Sequence, residues 1–359
     1  MRVVLFPADS WGCGSFRMIW PGESLQRAGH DVSIVRSKDR QVRIHMRGEE
    51  VIKVEMDADV VVFQRVTHSR LAQAIPVLRR QGVAVVVDVD DDLTSVHPSN
   101  PAWHGLHPRN EGQRMPGGAV SMNSWRNLSY ACQQATLVTV STAALLPVYA
   151  SHGRGMVLDN YLPTAYDNIP HTDSDTIGWP ASYHSHPNDP DAVGGAVARL
   201  VSDGAQFIIR GDPSGSGKAF GLLSDPDGFP VPIQQWPHAV ADIGIGIAPL
   251  ADTKFNRSKS RLKPLEMCAA GVPWVASPRA EYERLHKLGA GILADRSRTW
   301  YRELKRLRGS ESLRRELSEA GRAVAATQRL DDHSYRWAEA WQKAYELQNG
   351  VRTPSMAGV

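Results

Sequence analysis

The sequence predicts an α/β protein built from two Rossmann-like domains. Three observations carry that reading. The chain has 359 residues, more than one ordinary hydrophobic core fills. Short Val-rich runs alternate with helical patterns through the first half, as in a parallel sheet with crossover helices. A passage rich in Pro, Asp and Asn, Asp159 to Asp175, then precedes a second alternation of the same kind.

Val3 to Phe6, Val32 to Val35, Val60 to Phe63, Val83 to Asp88 and Leu137 to Val140 read as buried parallel strands. Phe16 to Ala28 and Arg70 to Gln81 carry helical spacing between them. Arg43 to Met46 and Val51 to Val54 flank Gly48 and read as a small hairpin. In the second half, strands are expected at Thr176 to Gly178, Gln206 to Arg210, Ile243 to Ala248, Pro273 to Ala276 and Gly291 to Leu293. From Thr299 to about Gln348 the pattern is helical. The expected division is 1–165, 174–330, a helix over 331–349 and a mobile tail over 350–359.

Composition narrows the class. A hydrophobic fraction of 42% is that of a globular protein, and no run approaches the ~20 apolar residues of a membrane span. The opening MRVVLFPADSW reads as a strand rather than a signal peptide. Cys13, Cys132 and Cys268 lie far apart without metal spacing, which fits a reduced, cytoplasmic setting. A net charge of +3 is mild and does not single out nucleic acid as a partner.

Chemistry concentrates between Phe255 and Ser277. An alternating apolar run from Ala241 reads as a buried strand; Lys259, Lys263 and Glu266 then lead through a helix to Gly271-Val272-Pro273 and the next strand. Both cations and the carboxylate therefore sit past the carboxyl end of a parallel strand, where open α/β sheets bind ligands. Two ammonium groups suit a diphosphate, and a carboxylate one turn further suits a pair of sugar hydroxyls. The plain alternative is a solvated helix start, with Pro264 at the first helical position and Glu266 near the third, favouring the helix dipole.

Here the sequence resembles a known family. FNRSKSRLKPLEMCAAGVPWVAS is similar to the donor-binding region of the retaining glycosyltransferases of GT-B fold, family four in particular, including its short bacterial and phage members. The likeness continues in Ala8 to Val35, with its Gly-rich loop and GHDV strand, in Val85 to Leu93, in Val138 to Pro163 and in Ile177 to Asp189. It implies two Rossmann-like domains facing a cleft, and a final helix, Ser334 to Leu347, crossing back to the first. It implies transfer of a sugar, with retention, from a nucleotide diphosphate sugar. Lys259 and Lys263 would hold the diphosphate and Glu266 the ribose hydroxyls. The family often has a further glutamate, contacting the donor sugar, where this chain has Ser258.

Other candidates are weaker. Gly12 and Gly14 with Arg17 could bring backbone N–H groups and a cation to a phosphate, facing the donor; the alternative is an ordinary strand-to-helix turn. Asp88 and Asp90, Asp91 and Asp92 end a strand, so their charges must be solvated, paired or metal-bound. The resemblance implies an enzyme that manages without metal or a tightly bound cofactor, and leaves Asp90, Asp91 and Asp92 to shape the acceptor side. His97, His104 and His107 follow in a loop; His97 is the positional match to a histidine that touches the donor sugar. Gly211 to Lys218 imitates a phosphate loop, yet Asp212 stands where the motif needs Gly and Ala219 where it needs Ser or Thr. Arg210 or Lys218 is expected near phosphate, Ser182 and His184 at the donor, and Trp236 near the base.

The function these readings favour is glycosyl transfer. A GT-B nucleotide-sugar epimerase and a catalytically inactive sugar-nucleotide-binding subunit are the alternatives. The acceptor is left open among protein, polysaccharide and modified DNA base, as are the donor's base and sugar.

Overall fold

The computed structural model describes residues 1–35, 42–100, 102–103 and 124–350. Most of the loop from Ser95 to Val120, with His104 and His107, and the tail after Gly350 lie outside them. Contacts divide the chain into two compact units, changing over at Asp159/Asn160 and again at Arg329/Leu330; Ser95–Trp103 joins the second unit.

The first unit holds a six-stranded, all-parallel sheet. Its strands are β1 (Val3–Phe6), β2 (Val32–Ile34), β5 (Val60–Gln64), β6 (Ala84–Val89), β7 (Leu137–Val140) and β8 (Gly155–Val157), in the order β2-β1-β5-β6-β7-β8. Every residue of β5, β6 and β7 is buried, which is why these runs are mostly apolar rather than alternating. β3 (Arg43–Arg47) and β4 (Glu50–Glu55) form the separate hairpin around Gly48. The last helix, Tyr335–Asn349, lies on this sheet against β5, β6 and β7. Trp337, Ala340, Trp341 and Ala344 make its buried stripe, at helical spacing.

That helix also completes the turn after β1. Residues Ser15–Ile19 form a π-helical turn that runs into the helix Trp20–Arg27. Pro21 lacks the N–H that would reach back to the Arg17 carbonyl. The indole Nε1 of Trp337 donates to that carbonyl instead, at 3.1 Å.

The second unit holds another six-stranded parallel sheet: β9 (Ile177–Pro180), β10 (Phe207–Arg210), β11 (Asp227–Phe229), β12 (Ile245–Ala248), β13 (Trp274–Ala276) and β14 (Ile292–Leu293). Their order is β11-β10-β9-β12-β13-β14. A core of Trp179, Phe207, Phe220, Ile247 and Trp300 fills one side of it. Sequence patterning passes over β11 and β8. Both are three-residue edge strands, and the Asp-Gly-Phe of β11 has no apolar run to betray it.

In each unit the chain builds strands to one side of a starting strand, then returns to its other side. The reversals fall at β1/β5 and at β9/β12. Ligands bind outside the carboxyl ends of the strands at such points.

Candidate functional site

In the second unit, Lys259, Lys263 and Glu266 follow β12 directly. The helix Leu262–Ala270 carries the last two. Pro264 takes its third position rather than its first, and Glu266 its fifth. Any residue of the first turn can lack an N–H, because those donors have no partner inside the helix. Glu266 therefore lies beyond the positions where a carboxylate merely complements the helix start, and it is buried.

Its burial is balanced by two donors on one oxygen. The Tyr166 hydroxyl and the Trp236 indole Nε1, the latter at 2.9 Å, both donate to Oε1 of Glu266. Burial pushes the Glu266 pKa up to about 7, against the pull of these two bonds and of Lys263. Lys263 is in the opposite condition. Among the described residues nothing hydrogen-bonds to its buried Nζ. The ammonium lies 5.3 Å from the centroid of the Trp179 ring, and burial brings its pKa down to about 8 although Asp189 pulls it up. A cation–π contact returns about 2 kcal/mol, whereas removing an ammonium from water costs several kcal/mol. The site is thus short of an anion.

Lys259 lies 4.4 Å from the centroid of the Phe255 ring, and Ser258, almost fully buried, donates its hydroxyl to the Phe255 carbonyl at 2.7 Å. Beside them is a buried group that sequence reasoning missed. Asp189 accepts from the Asn256 amide at 2.6 Å, from the Ala251 N–H at 3.2 Å and from His186 Nδ1 at 2.8 Å. Burial and the neighbouring Lys263 bring the His186 pKa down to about 4, so the ring is neutral at pH 7. His184, two residues earlier and expected at the donor, is exposed, 3.7 Å from Asp212. Ser182 turns its hydroxyl to the Asp212 N–H at 3.1 Å.

Arg210 is engaged by acids. It lies 3.4 Å from Asp242 and 3.8 Å from Asp227, over the Phe229 ring. The phosphate-loop imitation after it is filled from within. Asp225 accepts from the Gly215 N–H at 2.9 Å and the Gly217 N–H at 2.7 Å, and Gly215 takes φ +79, a conformation that favours glycine. A carboxylate of the chain thus takes two N–H groups that a phosphate loop would keep for its ligand.

The first unit repeats this device. Asp9 Oδ1 accepts from the Trp11 and Gly14 N–H groups, at 2.9 and 3.0 Å. A Cβ on Gly14 would stand 1.8 Å from the Asp9 carbonyl oxygen, whereas one on Gly12 would meet nothing within 4 Å. Gly14 is thus required by the chain's own packing, and Gly12 is the open position. Arg17 does not offer its cation to the surface. It is fully buried, with Nε 3.1 Å and Nη2 2.7 Å from the two Asp88 oxygens, and it also donates to the Leu158 carbonyl. Asp88 accepts Thr139 Oγ1 as well, at 2.7 Å. Its position in an all-buried strand forces this pairing, since an unpaired charge there would be prohibitive.

The other aspartates are similarly occupied. Asp90 pairs with Arg65 at 2.7 Å, Asp91 lies 3.6 Å from the same guanidinium, and Asp92 accepts from the Thr94 N–H at 3.1 Å. Arg65 itself, at φ +49 just past β5, also donates to Cys13 Sγ. Among the described residues no three His, Cys, Asp or Glu side chains are grouped to hold a metal ion. His97 is exposed and accepts the Ser99 N–H on Nδ1.

The sequence matches no protein-family model and none of the curated proteins. The structure does match solved ones. Anabaena Alr3699/HepE, solved with UDP and with UDP and glucose, aligns at TM-score 0.58 and 11% identity over 95% of this chain and, respectively, 100% and 99% of its own. Sucrose-phosphate synthase from Thermosynechococcus elongatus gives 0.59 and 11%, over 96% and 99%. A glycosyltransferase from Rickettsia africae gives 0.61 and 11%, over 96% and 98%. The two parallel sheets, with the final helix returned to the first, are those of the GT-B glycosyltransferase fold.

Proposed function

We propose that this protein transfers a sugar, with retention of anomeric configuration, from a nucleotide diphosphate sugar to an acceptor. One observation carries the reading. At the β9/β12 reversal of a GT-B fold, the unpartnered ammonium of Lys263 stands one helical turn from the buried carboxylate of Glu266. The first is short of an anion and the second is held by hydrogen-bond donors, so a diphosphate and a diol answer both. The Anabaena neighbour's complexes with UDP and glucose support the same class of ligand.

In this reading Lys263 and Lys259 hold the diphosphate, and Glu266 takes the ribose hydroxyls. Ser258 and Ser182 border the donor. As the bond from the anomeric carbon to the diphosphate breaks, the leaving oxygen gains negative charge, and Lys263 gains a partner only then in full. The acceptor oxygen bonds to the anomeric carbon and its proton leaves with the diphosphate. Arg17 is not assigned to this step, because its guanidinium is committed to Asp88 and Leu158. Asp90, Asp91, Asp92 and His97 shape the acceptor side, and no metal is required because the lysines neutralise the leaving group.

Incubation with a panel of nucleotide sugars, with and without candidate acceptors, tests this by mass spectrometry. Transfer releases nucleoside diphosphate and adds a sugar mass to an acceptor. An isomerised sugar released without acceptor would indicate an epimerase instead, and binding without turnover an inactive subunit.

A further inference from the structure

Two side chains hold the carboxylate of Glu266. Tyr166 belongs to the turn Thr164–Tyr166, near the start of the second unit, and is fully buried. Trp236 is the first residue of the helix Trp236–Ala241 and is half-buried. They come from separate parts of the chain, yet both direct their only side-chain donor to the same carboxylate oxygen, Oε1. Among the described residues no other hydrogen bond reaches this carboxylate, and Glu266 keeps 6% of its surface exposed.

A carboxylate with two donors on one oxygen cannot rotate about its terminal bond without breaking both. The arrangement therefore fixes the plane of the group and presents its other edge. Ionised carboxylates have about four lone-pair sites, so the remaining ones can accept two hydroxyl protons from one ligand. A cis-diol is the group whose two hydroxyls match that spacing.

We propose that Tyr166 and Trp236 are positioning residues: by holding Oε1 of Glu266 they turn its free edge toward a vicinal diol and set the preference for ribonucleotide over deoxyribonucleotide donors. This rests on the donor reading above and goes beyond it in naming what orients the carboxylate. Trp236 acts through its indole N–H on Glu266, rather than by stacking on a base.

The test is calorimetry of the full chain with UDP, GDP, ADP and CDP, each beside its 2′-deoxy counterpart. For the base that binds, the ribonucleotide should be tighter by about tenfold, the loss expected when a hydrogen bond to a charged group is removed. Tyr166→Phe and Trp236→Phe should each narrow that ratio to within about threefold, chiefly by weakening the ribonucleotide. Each variant is read at unchanged thermal midpoint, and if one fails to fold the other decides. A ratio kept at the wild-type value in the folded variant overturns the proposal, as does equal weakening of both nucleotides. A wild-type protein that binds nucleotides without discrimination overturns it too. A wild-type protein that binds none of the eight overturns the donor reading itself, so the two failures are distinct.

Discussion

The indole of Trp337 hydrogen-bonds the carbonyl of Arg17 across 320 residues of sequence, at 3.1 Å. Pro21 leaves that carbonyl without its helical donor, and the last helix supplies one. The same Arg17 carries the buried ion pair with Asp88, so one residue joins the turn after β1, strand β6 and the final helix. Trp337→Phe keeps most of the packing but removes the indole donor to this carbonyl. It should cost about 1–3 kcal/mol in denaturant unfolding; a cost near zero would show that water replaces the indole.

Arg17→Ala should be more damaging. It strands Asp88 and Thr139 among valines, and removing one partner of a buried pair costs about 3–5 kcal/mol. If the variant instead kept its stability and lost only transfer, Arg17 would have to be counted among the catalytic groups.

Glu266 makes stability depend on pH with a definite sign. Its folded pKa is raised, from the ordinary 4.5 to about 7, so the folded state binds a proton more tightly than the unfolded chain does. That contribution is complete below about 4.5 and is lost as pH rises through 7. Glu266→Gln keeps an acceptor for Tyr166 and Trp236 without the charge. Its stability relative to wild type should rise between pH 5 and pH 7.5, by about 1–3 kcal/mol. A difference that stays flat over this range would show that Glu266 titrates normally.

Much of the fold was legible because burial on both faces leaves Val-rich runs, and because Gly271-Val272-Pro273 stops a helix in a recognisable way. The Lys259, Lys263 and Glu266 set was legible because it is local, lying within one strand-to-helix passage. What surrounds it was not. Tyr166 and Trp236 reach Glu266 from 100 and 30 residues away, and Asp189 gathers Asn256 from 67 residues away. No spacing in the sequence records such convergence. The glycine loops are not told apart by sequence for a related reason: a turn that takes a phosphate and one closed by Asp9 or Asp225 use the same residues. Arg17 reads as a helix-start cation because its partner, Asp88, stands on a strand buried on both faces, where the apolar pattern does not mark which face a residue takes.

Transfer should survive chelation. The lysines supply the positive charge a leaving diphosphate needs, so excess EDTA should leave the rate within about twofold. Loss that magnesium alone restores would make Asp90, Asp91 and Asp92 metal ligands despite their present pairing.

Lys263→Ala is the most direct test of the central claim that this cation serves a departing diphosphate. Single-turnover transfer and donor calorimetry should be measured on the same preparation, with the nucleotide sugar that wild type uses. The account predicts a fall of about a hundredfold or more in the transfer rate and a smaller loss of donor affinity, because leaving-group charge peaks in the transition state. Wild-type rate and wild-type affinity in the folded variant would contradict it.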